Sequence, residues 1–312
     1  MKVLITGGAG FIGSNIAAEL LRKGHDIRIL DNFSSGKREN LKDFEKDIEL
    51  IEGDIRSYHI VQEAVEGIEV VLHQAALPSV PRSIKDPITS NEVNVSGTLN
   101  ILEASVGAKV RRVVYASSSS VYGDNPDLPK HEGMIPNPLS PYAVSKLSGE
   151  RYCNVFSRIY GLETIALRYF NVFGPNQDPS SQYSAVIPKF IKAMLNNEQP
   201  VIFGDGEQSR DFTYISNIVE ANMLAATAAC DSGLAMNCAC NDRITLNELV
   251  RNLNFILNKK IAPKYEPPRA GDIKHSFADI HLAENMINYK PEIDFDTGLK
   301  MTVEKYIQRY CD

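Results

Sequence analysis

Short apolar runs alternate along the first half of the chain with longer segments whose apolar positions return every three or four residues. Residues 2–6 (Lys-Val-Leu-Ile-Thr) predict a strand. Ile12, Ile16 and Leu20, spaced by four, predict a helix face, and Gly24 stands where such a helix stops. The rhythm continues with strands over 26–30, 48–52, 69–72, 110–116 and 163–168, and helices over about 57–66, 89–105 and 142–160. Apolar strands alternating with helices predict a parallel sheet assembled from βαβ units. Beyond about residue 170 the rhythm breaks. Pro and Gly punctuate 174–179, 200–206 and 263–271, and helical patterns at 184–197, 216–229, 245–257, 279–288 and 297–310 alternate with short strands. A smaller, irregular second unit is expected there, interleaved with the end of the first.

A length of 312 residues is enough for two such units. The charge sum, 33 − 39 = −6, leaves no global positive field for a nucleic acid or a membrane surface, though a small anion could still meet one or two local arginines. Five cysteines (153, 230, 238, 240 and 311) include no Cys-x-x-Cys, and six histidines show no ligand spacing, so no metal site is expected. No stretch is long and apolar enough to span a membrane, and the glycine-broken start does not read as a signal peptide. A cytoplasmic protein is the expectation.

Candidate chemistry sits at predicted strand ends. Gly7, Gly10 and Gly13 fall between the first strand and the first helix, where glycine lets the backbone approach a pyrophosphate and the helix N-terminus offers N–H groups to it. A glycine triplet alone is a weak signal; this context makes a Rossmann-like, doubly wound sheet the expectation. Asp31 ends the second strand, 18 residues after Gly13. A carboxylate there suits both ribose hydroxyls and repels a 2′-phosphate, which favours NAD over NADP. Lys37 and Arg38 are the countervailing feature, because a basic pair could serve that phosphate. Gly53-Asp54-Ile55 and His73-Gln74-Ala75-Ala76 end the next two strands. Asp54 could accept from an adenine amino group, and Ala75 and Ala76 are small enough for a cofactor to lie against. Ordinary strand-end packing is the rival account of these segments.

Tyr142 and Lys146 form the only Tyr-x-x-x-Lys in the chain and share a face of the predicted 142–160 helix. The Lys146 ammonium and a positive nicotinamide ring would both stabilise a phenolate and lower its pKa from about 10. Tyr142 thereby becomes a candidate general base for an alcohol that loses hydride, with a serine hydroxyl from 117–120 holding the same oxygen.

At this point the chain resembles a family. Gly7-Gly8-Ala9-Gly10-Phe11-Ile12-Gly13, Asp31-Asn32, Ser118-x-x-Val121-Tyr122-Gly123, Ser140-Pro141-Tyr142-x-x-x-Lys146, Arg168-Tyr169-Phe170-Asn171 and Arg269-x-Gly271-Asp272 are similar, in order, to the extended short-chain dehydrogenase/reductases, and within them to UDP-hexose 4-epimerases. The resemblance implies an NAD-binding domain over 1–170, with 213–238 returning to it, and a smaller α/β sugar-nucleotide domain over 171–212 and 239–312. It implies a catalytic Ser118, 24 residues before Tyr142, beside Tyr142 and Lys146. Cofactor contacts would come from Gly7, Gly10, Phe11, Ile12 and Gly13, from Asp31, Asn32, Ser35 and Gly36, and from Asp54 and Ile55. Gln74, Ala75, Ala76, Tyr142, Lys146 and Tyr169 would complete them. Substrate contacts would come from Ser79, Ser118, Ser119, Tyr142, Asn171, Val186 and Ser276. Arg210 and Arg269 would hold the diphosphate and Asp272 nucleotide hydroxyls, with a surface ion pair the alternative for each arginine.

Two departures narrow the reaction. The family's 4,6-dehydratases carry Asp-Glu directly after the catalytic serine or threonine, and this chain has Ser119-Ser120. Epimerases confined to UDP-glucose and UDP-galactose carry a Tyr four residues after the Asp of Arg-x-Gly-Asp, and this chain has Ser276, which leaves room for an acetamido group. Ser79-Val80-Pro81-Arg82-Ser83 also resembles the hexose-covering loop of epimerases of N-acetylated sugars. The expectation is a 4-epimerase of UDP-N-acetylglucosamine, with UDP-glucose as the second candidate substrate and with bound NAD. The rivals are a UDP-glucuronate 4-epimerase or decarboxylase and, remotely, a non-catalytic NAD-binding regulator. A homodimer through helices 89–105 and 142–160 is expected from the same resemblance; Tyr152, Phe156 and Tyr160 form an apolar stripe on the second of these, a pattern found more often in a core than at an interface.

Overall fold

The computed structural model describes residues 1–178, 185–268 and 274–310, with no side-chain detail for 309 and 310. Six strands come in chain order: β1 (Lys2–Thr6), β2 (Asp26–Asp31), β3 (Glu49–Glu52), β4 (Val70–His73), β5 (Arg112–Ser118) and β6 (Glu163–Tyr169). A seventh, Leu234–Cys238, joins them, and the sheet runs Leu234–Cys238, β6, β5, β4, β1, β2, β3, with every pairing parallel. The chain winds outward from β1 to β3, then crosses back to β4 on the other side of β1. The strand order reverses between β1 and β4, the place where open α/β sheets bind ligands.

Alternation along the strands assigns side chains to two cores. Val3, Ile5, Ile29, Val70 and Leu72 face one, with Ile16 and Leu20. Leu4, Leu30, Val71 and Val113 face the other, with Ile101 and Phe156. Helices α1 (Phe11–Arg22), α2 (Tyr58–Val65), α3 (Val80–Lys85), α4 (Pro87–Asn91), α5 (Gly97–Gly107) and α6 (Pro141–Tyr160) carry the crossovers. Both faces of the sheet are therefore covered, as in a doubly wound Rossmann-like fold.

The predicted helix over 89–105 is α4, a π turn at Glu92–Ser96, and α5. Periodicity does not register one extra residue in a turn, and π turns of this kind collect at functional sites. α3 falls in a stretch with no helical forecast; Pro81 in its first turn and the Ser79 side chain, which accepts the Arg82 N–H at 3.3 Å, are what start it. Ser140 caps α6 by accepting from Ala143 N at 3.1 Å, and Gly161, at φ +70°, stops it.

Past β6 the chain forms small paired strands. Val172–Phe173 pairs with Thr213–Tyr214, Val201–Phe203 with Lys264–Glu266, and Ser209–Arg210 with Ile244–Thr245. The helix Ile215–Thr227 packs on α1, and Leu246–Leu257 starts in a Thr245/Glu248 capping box. The expected Tyr152–Phe156–Tyr160 stripe turns largely inward: Phe156 is buried and Tyr152 packs on the same core. The exposed apolar side chains of α6 are instead Val144, Val155 and Ile159, besides Tyr160. No described helix is long and apolar enough to cross a membrane. Among the described residues no cluster of His, Cys, Asp or Glu could hold a metal.

Candidate active site

The glycine turn sits at the switch between β1 and β4. Gly7 has φ +69°, and a Cβ there would stand 2.7 Å from the Ala75 nitrogen. A Cβ at Gly13 would stand 2.3 Å from the Gly7 carbonyl oxygen. Phe11 and Ile12 open α1 directly behind Gly10, its N-cap. Asp31 is buried at the end of β2. Its carboxylate accepts from Ala9 N at 2.9 Å and Phe33 N at 2.8 Å, while burial pushes its pKa up. Gly36 closes over it: a Cβ there would lie 3.0 Å from Asp31 Oδ2, and Ser35 is its neighbour in that turn. The glycines thus leave backbone exposed at a helix N-terminus next to a carboxylate. This cradle fits a dinucleotide and would be filled by ordinary side chains.

Asp54 is well supplied with donors. Asn32 Nδ2 reaches it at 2.8 Å and Arg56 binds both of its oxygens, which holds its pKa down at about 2. Ile55, beside it, is buried under α5, where a Cβ on Gly97 would strike it. Gln74, Tyr169 and Asn222 form a closed polar triangle, with Asn222 Nδ2 donating to the Tyr169 hydroxyl at 2.8 Å and Gln74 Nε2 donating to Asn222 Oδ1 at 3.0 Å. Ala75 N donates to Thr6 Oγ1 at 3.2 Å, so Ala75 and Ala76 continue from a fixed strand end. His73, wholly buried, bridges Thr6 and Thr98, and burial with the Lys146 charge depresses its pKa to about 3.

Tyr142 and Lys146 lie on the first turns of α6. Lys146 is buried, donates to the Ala116 carbonyl at 2.8 Å, and sits 5.1 Å from the centre of the Tyr115 ring and 5.9 Å from that of Tyr142. Burial pulls its pKa down to about 8. Tyr142 is half-buried and hydrogen bonds to the Ser118 side chain at the end of β5. The chain alone does not lower the phenol as expected. Burial raises its pKa, and the Ser118 hydrogen bond draws it only part of the way back. Ser119 follows in a 3₁₀ turn. The Tyr142 backbone is held from two sides, since Ser83 Oγ accepts its N–H at 3.0 Å and Ser145 Oγ donates to its C=O at 2.8 Å. The buried Asn94 of the π turn donates to Ser145 at 3.1 Å and receives Leu77 N at 2.8 Å. Ser79, with φ +102°, stands two residues past Leu77.

Beyond β6 lies a cavity of about 530 Å³. Asn171, Val186 and Arg210 line it, as do Lys189, Phe203, Gln208 and Phe212, which sequence reasoning missed. Phe173 and Phe190 also line it, so four aromatic rings and two cations surround a space that suits a flat base on a diphosphate. Arg210 donates to the carbonyls of Ser209 and Lys274, and Asn171 Nδ2 to that of Asp211 at 3.0 Å. Ser276 N donates to Ser209 O at 3.0 Å, which ties residue 276 to the strand carrying Arg210, but Ser276 does not line the cavity. Arg269 and Asp272 lie outside the described residues. Asn222, also missed, carried no distinct signal, since the same helix holds Ser216, Asn217 and Glu220.

A parallel doubly wound sheet, a glycine turn facing a ribose-type carboxylate and a Ser–Tyr–Lys group define the short-chain dehydrogenase/reductase class. The chain belongs to the NAD dependent epimerase/dehydratase family, whose pattern matches residues 3–239. It is 37% identical to a UDP-glucose 4-epimerase of Mycolicibacterium smegmatis, over 97% of this chain and 98% of that protein. A solved UDP-N-acetylglucosamine 4-epimerase of Methanobrevibacter ruminantium, in complex with UDP-N-acetylmuramic acid, is 43% identical with a TM-score of 0.94, covering 99% of this chain and 98% of its own. A Bacillus cereus UDP-glucuronic acid 4-epimerase, solved with UDP-glucuronic acid and NAD, is 32% identical with a TM-score of 0.92, covering 99% and 100%.

Proposed function

We propose that the protein is an NAD-dependent 4-epimerase of UDP-hexoses, acting on UDP-N-acetylglucosamine and its C4 epimer and also on UDP-glucose. The observation that carries the reaction type is the Ser118–Tyr142–Lys146 group standing at the carboxyl end of β5, next to β4, with no acid–base pair at Ser119-Ser120. NAD, when bound, supplies the acceptor and then the donor of the C4 hydride. The glycine turn, Asp31 and Gly36 hold it, and Lys146 and Tyr169 lie toward its reactive end. Tyr142 takes the C4 hydroxyl proton as the hydride leaves and returns it after the 4-keto sugar has turned over. Ser118 shares that oxygen and keeps the phenol aimed at it. The buried Lys146 ammonium stabilises the phenolate, which burial otherwise opposes. The reaction is redox-neutral, so the cofactor has no reason to leave between turnovers.

Asn171, Val186 and Arg210 bind the UDP half in the cavity, the resemblance assigns Arg269 and Asp272 to the same nucleotide, and Ser79 and Ser276 flank the hexose. On this reading 1–170 with 213–238 is the cofactor domain, and 171–212 with 239–312 the substrate domain. The choice of N-acetylated sugar rests on Ser276 in place of Tyr and is supported by the likeness to the Methanobrevibacter enzyme. Val144, Val155 and Ile159 would be the apolar contacts of a homodimer through α6. Proton NMR of the protein with UDP-N-acetylglucosamine, UDP-glucose and UDP-glucuronate, without added cofactor, tests the proposal. Epimerisation of the first at C4 is expected; turnover of UDP-glucuronate alone would replace the reading.

A further inference from the structure

Two cations follow the turn that closes over Asp31, and both are committed to carboxylates. Lys37 donates its backbone N–H to Ala9 O at 3.0 Å, and Ala9 N in turn donates to Asp31 Oδ2 at 2.9 Å. Lys37 therefore starts from the edge of the ribose-type carboxylate. Its Nζ pairs with Asp178 Oδ2 at 2.7 Å, a residue more than a hundred positions away at the substrate end. Arg38 lies over the Phe33 ring, 4.7 Å from its centre, and pairs with Glu45 at 2.8 Å and Glu52 at 2.7 Å. A 2′-phosphate on the adenosine ribose would need such cations, because the phosphate and Asp31 repel one another. A Lys or Arg already paired with a carboxylate attracts a neighbouring phosphate less strongly, by the modest amount such an exposed pair is worth.

We infer that Asp178, Glu45 and Glu52 are specificity-determining residues for the cofactor: by neutralising Lys37 and Arg38 they deny NADP the cations it would require, and so reinforce Asp31. This rests on the assignment of the glycine turn to NAD. It makes cofactor choice a property of two layers, one inside the cradle and one on its rim. It also gives Asp178, beyond β6, a part in a site that lies on the other side of the sheet's switch.

The test uses the full-length protein, stripped of its resident nucleotide and then incubated with equimolar NAD and NADP, both in excess, until the bound ratio no longer changes; it is freed of unbound nucleotide and denatured so that the bound nucleotide can be quantified. The parent should release NAD almost exclusively. Asp178→Asn should raise the bound NADP:NAD ratio about threefold, and the triple variant with Glu45→Gln and Glu52→Gln about tenfold, since each exposed pair is a modest, screened interaction. The gain should vanish when Lys37→Gln and Arg38→Gln are added, and shrink in high salt. A triple variant whose ratio stays within about twofold of the parent overturns the inference, as does a gain that survives loss of both cations. If the triple variant misfolds, the single Asp178→Asn variant, which keeps the side-chain volume at a partly exposed position, decides the matter: a ratio unchanged from the parent overturns the inference. A parent that releases mainly NADP(H) would instead fail the NAD assignment, and the inference with it.

Discussion

At the cofactor end, Gly7 packs against Ala75 and Gly13 against Gly7 itself, with no space for a Cβ at either position. At the substrate end, a cavity of about 530 Å³ is lined by side chains from Asn171 to Leu246. One site is backbone held in close contact by parallel strands and a helix start. The other is side chains set around a space by two-residue strands and loops. The first tolerates almost no added volume, whereas the second can change its occupant by changing a side chain. That contrast accounts for a family that keeps one cofactor while its named members differ in the UDP-sugar.

The contrast can be broken most severely where the two ends meet. Tyr142→Phe should lower turnover about 10²–10⁴-fold, while nucleotide released on denaturation stays at the parental amount, since the cradle is untouched. A near-parental rate would mean that another group is the base. Gly13→Ala attacks the cradle alone. The added methyl meets the Gly7 carbonyl, so a loss of about 1–3 kcal/mol in stability is expected along with loss of bound NAD. Thermal unfolding and nucleotide content would read it, and unchanged values for both would show that the turn relaxes freely.

Ser276→Tyr sharpens the other side. It should cut kcat/KM for UDP-N-acetylglucosamine roughly tenfold to a hundredfold and spare UDP-glucose. Equal losses on both sugars would assign residue 276 to the Arg210 strand, to which its backbone is bonded, and not to the sugar.

The smallest expected effects are in pH dependence, and they run in opposite directions. His73 is held neutral with its pKa depressed from 6.5 to about 3. Its contribution is present above pH ~6.5 and is lost as pH falls toward 3. Asp211 is buried next to Arg210, accepts from Cys240 N and Ala278 N, and has its pKa raised from 3.8 to about 7, mainly by burial. Its contribution is present below pH ~4 and is lost as pH rises through 7. Urea unfolding at pH 5 and pH 8 should show Asp211→Asn losing the downward slope on the alkaline side. Identical slopes in parent and variant would mean that Asp211 ionises without cost.

The cofactor end was legible because its determinants are local. Gly7 to Gly13, and Asp31 at the end of the next strand, lie within one βαβ unit, where spacing alone sets geometry. Tyr142 and Lys146 were legible for the same reason, being one helical turn apart. The π turn at Glu92–Ser96 was not, because it replaces one hydrogen-bond register by another without altering the apolar pattern. The inward turn of Phe156 was the alternative that spacing left open, because both cores and surfaces recur every four residues on a helix.

The parallel sheet, the glycine turn, the carboxylate at the second strand end and the Tyr–Lys pair were thus written in the sequence alone, through contacts within a few turns of chain. Tertiary structure was needed to bring Asn222 to Gln74 and Tyr169, Ser83 to the Tyr142 N–H, Phe203 and Phe212 to one cavity with Arg210, and Asp178 to Lys37. Asn222 and Gln74 are 148 residues apart, Asp178 and Lys37 178 − 37 = 141, and Ser83 and Tyr142 59. No periodicity encodes such meetings, because they arise when separately folded elements dock and their buried polar groups must find one another.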